Sequence, residues 1–196
     1  MQDIILASQS PRRKMLLEWA EVGFEVIVRH TDESYPEGLS HTEIAIHIAR
    51  QKAKAVHEYV QGAFHGELKN RVILAADTIV VLGNKVIGKP ESREDAIEIL
   101  GSLSGREHKV ITGVVILHNG SETSFADTTD VVFHSLTNEQ LVFYVDKYKP
   151  YDKAGAYAIQ EWIGVVGIKS IRGDFSNVMG LPVSRVVQAL ARYNTV

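Results

Sequence analysis

The chain has 196 residues, 45% of them hydrophobic and 23% charged, which is typical of one sizeable globular domain or of two small lobes that share a core. The formal net charge of -3 argues against bulk attraction to nucleic acid, so any anion site must be a local cluster. The absence of cysteine excludes disulfides, thiolate zinc sites and a cysteine nucleophile.

Apolar stretches in this chain are all well short of the ~20 residues that a membrane-spanning helix needs. The N-terminus enters a predicted strand directly, without the pattern of a signal peptide. We therefore expect a cytoplasmic protein that binds neither a membrane nor nucleic acid.

The first seventeen residues combine a buried strand with an unusual helix start. Residues 4–7 are apolar and predict a strand. Ser10 suits the N-cap of the following helix, and Pro11 suits its first position. The run Arg12-Arg13-Lys14 then lies where the helix dipole favours acidic residues. Free N–H groups, serine hydroxyls and arginines would form a phosphate-binding corner, but a solvated basic turn explains the pattern equally well.

The rest of the chain alternates between strand and helix patterns. Strands are predicted at 24–28, 72–76 with a continuation at 79–82, 85–87, 109–118, 123–133 and 165–171. Helices are predicted from near Thr42 to Tyr59, from Ser92 to near Gly105, from Thr137 to Tyr148, and onward from Pro182. Hairpin turns are predicted at 83–84 and 119–120, and connecting loops at 61–70, 153–160 and 173–180.

This order predicts an α/β protein. We expect a long, twisted, mixed β-sheet flanked by helices, with two lobes around a central cleft. No clean linker interrupts the sequence, so residues 1–196 are predicted to form a single domain.

Two acidic positions stand out. Asp77 directly follows five apolar residues, where a strand is expected to leave the core, and a carboxylate there suits a metal ligand or a general base. The alternative is a turn aspartate that caps its own backbone. A carboxylate of the pair Asp32-Glu33, together with Asp77, could hold a largely hydrated Mg²⁺. Taken in isolation, that pair is better explained as an exposed acidic loop.

Basic candidates are spread over four segments, which contain Arg12 and Arg13, Lys52, Lys89, and Lys153. Each of them alone suits ordinary surface charge. Lys89 and Lys153 lie in loops marked by glycine or proline beside apolar strands, and a lysine in such a loop can reach a bound phosphate. The sequence contains no Walker, Rossmann, HExxH or GxSxG motif.

Six segments, in the same order and spanning nearly the whole chain, resemble the Maf family of nucleoside triphosphate pyrophosphatases. They are LASQSPRR at 6–13, ADTIV at 76–80, GKP at 88–90, LSG at 103–105, DKAGAYAIQ at 152–160 and GDFSNVMGLP at 173–182. The resemblance implies a Maf/ITPase-like fold and a homodimer.

The resemblance also implies a reaction. Water cuts a nucleoside triphosphate between its α- and β-phosphates, with the help of Mg²⁺ or Mn²⁺, and gives the monophosphate and pyrophosphate. The fifth segment is similar to the branch that acts on dTTP and UTP, including modified pyrimidine nucleotides, which implies a house-cleaning role. Two other interpretations remain open: a nucleotide-binding regulator of cell division without turnover, and a phosphohydrolase that removes only the γ-phosphate.

Residue roles follow from the resemblance position by position. In the family, the residue that matches Asp77 is the base that activates water, and those that match Arg12, Thr78 and Gln160 are associated with substrate choice. The amide of Gln160 can read the O4 and N3–H edge of thymine or uracil. The chain departs from the family pattern at Glu161-Trp162 and at Met179, which could alter the rim of the base pocket.

Given this reaction, the remaining candidates can be assigned by their chemistry. We expect Glu33 and Asp77 to hold the metal. Charge builds on the phosphate oxygens during the transfer, so positioned cations supply much of the catalysis. The substrate-binding residues are therefore predicted to be Ser8, Arg12, Arg13, Lys52, Thr78, Lys89, Lys153 and Gln160.

Overall fold

The computed structural model describes residues 3–63, 66 and 68–193 and confirms the α/β class. The strands are β1 (Ile4–Leu6), β2 (Phe24–Val26), β3 (Ile73–Leu82), β4 (Lys85–Ile87), β5 (Glu107–His118), β6 (Ser121–Phe133) and β7 (Ile168–Arg172). The helices are α1 (Pro11–Trp19), α2 (His41–Ala63), α3 (Arg93–Leu103), α4 (Asn138–Tyr148), α5 (Trp162–Gly167), α6 (Phe175–Met179) and α7 (Val183–Leu190). Short 3₁₀ turns occupy Ala154–Ala156 and Ala191–Tyr193.

The strands form one mixed sheet in the order β2-β1-β3-β5-β6-β7, with β4 paired to β3. β1 runs parallel to both of its neighbours, with Ile5 opposite Glu25 on one side and Ile73 on the other. Every residue of β1 is buried, which explains its unbroken apolar sequence. β3–β4 and β6–β7 are antiparallel, so the sheet is mixed, as the sequence predicts.

The chain divides into two compact units. The first contains the described parts of residues 1–77, 112–127 and 180–196, and the second contains residues 78–111 and 128–179. β3, β5 and β6 each contribute residues to both units. Among the described residues, none of the helices combines the length and the hydropathy that crossing a bilayer requires.

In the first unit, α2 packs against the central strands. Their shared core consists of Ile5, Ala7, Ala49, Ala53, Val56, Val60, Ile73, Ala75 and Val115. The small alanines let the helix approach the sheet closely. At Gly113 on β5, an added Cβ would lie only 2.3 Å from the carbonyl carbon of Ala45 on α2, so no larger residue fits there without moving the helix.

In the second unit, predicted caps and turns set the element boundaries. The capping box at the start of α4 is present, because Thr137 accepts from the Gln140 backbone and the Gln140 side chain accepts from the Thr137 backbone. Ser92 caps α3 by accepting from the Asp95 backbone N–H at 3.1 Å. In the β3–β4 hairpin, Gly83 has φ +60°, as its type II′ turn requires.

The structure differs from four predictions about local structure. Residues 165–167 belong to α5, so only the end of the predicted strand at 165–171 is extended. Residues 175–179 form α6 within the predicted loop, where the Asp174 carboxylate accepts from the Ser176 N–H at 2.7 Å. Asp77 lies in the middle of β3, not at a strand end, because the strand continues without interruption to Leu82. Helix α2 extends into the predicted connection at 61–70, and residues 64, 65 and 67 of that connection lie outside the described residues.

Candidate functional site

Two of the predicted carboxylates meet at one lysine in the first unit. The Lys52 ammonium lies 2.6 Å from Asp77 Oδ1 and 2.8 Å from Glu33 Oε1. The Lys52 and Asp77 side chains are 18% and 13% exposed, whereas that of Glu33 is 47% exposed. The structure therefore brings together three residues that are far apart in sequence, at a place that solvent and a ligand can still reach.

The periodicity of two elements explains this meeting. Side chains alternate across a strand, so Asp77 points to the same face of β3 as Ile73 and Ala75, which pack against α2. On the helix, Lys52 lies between Ala49 and Val56 at a spacing of three and four residues, which places it on the buried stripe. Lys52 is thus a sheet-facing cation that meets the one carboxylate on that face of the strand.

Arg13 is also directed inward. Its Nε donates to the Gly180 carbonyl at 2.7 Å, and its Nη1 donates to Ser8 Oγ at 3.0 Å. Burial lowers the pKa of the Arg13 guanidinium below its usual value, while the charges of Asp77 and Glu33 oppose that shift. Electrostatically, Arg13 therefore belongs with the Lys52 group. The sequence gives no signal for the Gly180 contact, because it is made by a backbone carbonyl.

The start of α1 has the charge pattern that the sequence predicts. Its first turn contains no acidic residue, and Pro11 occupies the start of the helix. Ser10 takes the N-cap position, but its side chain makes no capping bond. Instead, Ser8 Oγ accepts from the Ser10 backbone N–H at 3.2 Å as well as from Arg13. Both acceptor positions of that hydroxyl are then used, so its own proton is the part suited to an incoming anion.

The second unit joins two of the predicted basic loops. The Gly155 backbone N–H donates to the Gly88 carbonyl at 3.0 Å, which ties the loop of Lys153 to the loop of Lys89. Gly155 has φ +70°, and an added Cβ would lie 2.9 Å from a methyl carbon of Val80. Glycine is thus required at this junction both by conformation and by space.

The other predicted residues of this unit differ in exposure. Lys153 is only 8% exposed and pairs with Asp152 at 2.7 Å and with Glu161 at 3.6 Å. Lys89 and Gln160 are exposed, and Thr78 is half-buried in β3 next to Asp77.

Comparison with known proteins decides the family. A family model described as Maf-like protein matches residues 3–193. The chain belongs to the Maf family. A relative in Cytophaga hutchinsonii named dTTP/UTP pyrophosphatase is 47% identical over 97% of this chain and 84% of its own length. Another of that name, in Bacteroides thetaiotaomicron, is 48% identical over 96% of this chain and 95% of its own length.

Among solved structures, the Ham1 protein of Staphylococcus aureus aligns with a TM-score of 0.48 and 17% identity, covering 98% of this chain and 100% of that chain.

The Maf site offers a donor set that fits a hard divalent cation. Glu33 and Asp77 present two carboxylates to one point, where Lys52 now supplies the positive charge. Mg²⁺ commonly binds through one or two carboxylates while keeping several waters and taking substrate phosphates as further ligands. Within the described part of the chain, no three or more His, Asp or Glu side chains are grouped so that they could hold a metal ion. Water and substrate phosphates would therefore complete the coordination of a metal bound by these two carboxylates.

One buried polar pair in the second unit, His108 and Tyr157, is not among the residues that the sequence singled out. His108 Nε2 and the Tyr157 hydroxyl lie 2.8 Å apart, and the His108 ring also packs edge-on against Phe133. Burial lowers the pKa of His108 to about 4 and raises that of Tyr157 above its usual value. Tyr157 belongs to the segment 152–160, so this pair fastens the loop of Lys153 and Gln160 to β5.

This pair predicts a specific dependence of stability on pH. The folded state holds His108 neutral down to pH 4, whereas the unfolded chain protonates it below pH 6.5, so folding stability falls as the pH drops through that window. When the pH is lowered from 7 to 5, His108 is expected to reduce the free energy of unfolding by about 2 kcal/mol. The free energy of unfolding in urea, measured at both pH values for the native chain and for His108→Gln, gives the difference. Equal losses in the two proteins would contradict this assignment.

Proposed function

We propose that the protein is a nucleoside triphosphate pyrophosphatase that hydrolyses dTTP and UTP, and modified pyrimidine nucleotides, to the monophosphate and pyrophosphate. The observation that carries the proposal is the half-buried Lys52 ammonium between Glu33 and Asp77, two carboxylates whose charges also act on Arg13. The names of relatives that are 47% and 48% identical support the choice of substrate.

Asp77 is the proposed base. Its Oδ1 accepts a hydrogen bond from Lys52 at 2.6 Å, so that oxygen already has a partner. We assign the second oxygen, Oδ2, to the water molecule, which it orients and from which it takes a proton during attack on the phosphate. A carboxylate held on a rigid strand suits this role because its direction does not depend on a mobile loop.

Glu33 and Asp77 are the proposed holders of Mg²⁺ or Mn²⁺. When bound, the metal would neutralise charge on the phosphate oxygens and help to place the triphosphate. Because both carboxylates now contact Lys52, binding of a divalent cation requires the ammonium to give up at least part of these contacts.

Cations at the start of α1 are the proposed triphosphate ligands of the first unit. Arg12 suits a bidentate grip on phosphate oxygens. Arg13 already donates from Nε and Nη1 to protein atoms, so its contribution is to hold Ser8 in place and to supply positive charge. The Ser8 hydroxyl then donates to a phosphate oxygen. The Lys52 ammonium moves from the two carboxylates to the phosphates of the substrate.

In the second unit, Thr78 and Gln160 enter the proposal through the family resemblance, and Lys89 and Lys153 enter it through their positive charge. Lys89 and Lys153 are assigned to the phosphates and the pyrophosphate leaving group, and Thr78 to substrate choice. Gln160 is assigned to the base, where its amide would accept from N3–H and donate to O4 of uracil or thymine. Cytosine reverses that pattern and would leave polar groups unpaired, which disfavours it. The homodimer and the cytoplasmic location remain predictions.

Product analysis tests the proposal. The purified protein is incubated with Mg²⁺ and each of dTTP, UTP, CTP and 7-methyl-GTP, and the products are followed by phosphorus NMR. We expect dTMP or UMP with pyrophosphate, and slower turnover of the other two. Nucleoside diphosphate with inorganic phosphate would indicate a γ-phosphatase instead. Tight binding of dTTP without products would favour the nucleotide-binding regulator.

A further inference from the structure

Gln160 is displayed by a tight turn. The Glu161 backbone N–H donates to the Ala158 carbonyl at 3.1 Å, so Ile159 and Gln160 are the two central residues of a four-residue turn. Ile159 is 4% exposed and points inward, whereas Gln160 is exposed. The backbone thus presents the Gln160 amide outward from a buried base.

Both ends of this turn are attached to one phenol oxygen. Tyr144, on α4, is fully buried. Its hydroxyl accepts from the Ala158 backbone N–H at 3.2 Å and donates to the Glu161 carboxylate at Oε2. A hydrogen bond to a carboxylate is stronger than one between neutral groups. Tyr144 therefore holds the residue before the turn's central pair and the residue after it.

The other oxygen of Glu161 faces a cation. Lys153 Nζ lies 3.6 Å from Glu161 Oε1, and the two side chains are 10% and 21% exposed. Glu161 thus connects the turn to Tyr144 on one side and to Lys153 on the other. A neutral or small residue after Gln160 would make neither charged contact.

Helix α5 closes the inner side of the turn. An added Cβ on Gly164 would lie 1.6 Å from the Ile159 carbonyl oxygen, so the helix backbone is packed directly against the turn. Because this side is filled by backbone, the turn cannot relax inward. Its remaining freedom is outward, and the contacts of Tyr144 and Glu161 oppose that movement.

We propose that Tyr144 and Glu161 are positioning residues that fix the amide of Gln160 for discrimination between uracil or thymine and cytosine. This inference rests on the proposed function. A glutamine amide carries a donor and an acceptor at nearly the same distance, so a rotation of half a turn would match cytosine as well as uracil. Selection between the bases therefore requires that the amide keep one orientation. A loosened turn would allow the amide to rotate, and the protein would then discriminate less well between the bases.

The test measures kcat/KM for UTP and for CTP in five proteins: the native chain, Tyr144→Phe, Glu161→Gln, Gln160→Ala and Asp152→Asn. Gln160→Ala gives the ratio of kcat/KM for UTP to that for CTP in a protein that lacks the amide proposed to recognise the base. Asp152→Asn is the matched control, because it removes a carboxylate that pairs with the same Lys153 ammonium at 2.7 Å but lies before the turn and at neither of its ends. Thermal unfolding confirms that each protein is folded.

We expect the UTP/CTP ratio to fall about 10-fold in Tyr144→Phe and in Glu161→Gln, mainly through a higher KM for UTP, and to stay unchanged in Asp152→Asn. If Tyr144→Phe fails to fold, Glu161→Gln decides, since glutamine keeps the shape of the side chain. If folded Tyr144→Phe and Glu161→Gln proteins keep the native UTP/CTP ratio while Gln160→Ala changes it, the positioning role is wrong and the reading role of Gln160 stands. An unaltered ratio in Gln160→Ala would overturn the positioning role together with the reading role of Gln160. A native chain that does not turn over UTP would overturn the proposed function itself.

Discussion

Asp77→Asn is expected to lower kcat for pyrophosphate release from dTTP by about 10²- to 10⁴-fold, the usual contribution of a positioned base. This corresponds to about 3–5 kcal/mol added to the activation barrier. Asparagine has the same shape, and its carbonyl oxygen can still accept the Lys52 hydrogen bond that Asp77 Oδ1 accepts at 2.6 Å. The fold is therefore retained, while proton acceptance and one negative charge are lost.

Initial rates of pyrophosphate release, with thermal unfolding as the folding check, measure this effect. Asp127→Asn is a suitable control, because Asp127 is a carboxylate of the same unit, in a half-exposed ion pair with Arg185 at 2.6 Å. It is expected to keep nearly native turnover. Full activity of a folded Asp77→Asn protein would show that another group activates the water.

Elements with strong local signals could be predicted from the sequence. The turn at Asn119-Gly120 requires two left-handed residues, and the structure has φ values of +48° and +78° there. The capping box of α4 likewise depends only on residues three apart. Such features need no knowledge of distant contacts, so the sequence contains all the information that they require.

Elements decided by tertiary packing could not be predicted in the same way. Val165 and Val166 have the β-branched side chains of a strand, yet they lie in α5. In the helix, Gly164 packs against the Ile159 carbonyl with no room for a Cβ, a contact that the β-propensity of the neighbouring valines does not reveal. The short helix α6 likewise has distant partners, since the Asn177 amide donates to the Val110 carbonyl at 3.1 Å and to Thr129 Oγ1 at 3.0 Å.

The same division applies to the candidate site. Residue chemistry alone left each charged residue with an ordinary surface explanation, and the family resemblance selected among them. The structure adds what neither could give: the shared contact of Lys52 with two carboxylates, and the inward direction of Arg13. The sequence does place Lys52 on the same helix face as Ala49 and Val56, and Asp77 on the same strand face as Ile73 and Ala75. That these two faces pack against each other is known only from the structure.

Lys52→Met is expected to have opposite effects on catalysis and on metal binding. Methionine fills a similar volume without the charge, so two carboxylates would face each other with no cation between them. Such a pair attracts a divalent cation more strongly than one neutralised by an ammonium. In the absence of nucleotide, affinity for Mn²⁺ is expected to rise about 10-fold, a gain of about 1.4 kcal/mol. Turnover of dTTP is expected to fall about 10²- to 10³-fold, because a cation that stabilises the phosphates is lost.

Titration of Mn²⁺ by electron paramagnetic resonance measures the first effect without any turnover, and pyrophosphate release measures the second. Lys54→Met is the matched control, since Lys54 is an exposed lysine on the same helix and contacts neither Glu33 nor Asp77 among the described contacts. A folded Lys52→Met protein that binds Mn²⁺ no more tightly than the Lys54→Met control would show that the two carboxylates do not form the metal site. In that case Lys52 would serve only to hold Asp77, and the loss of turnover would have to follow from the position of the base alone.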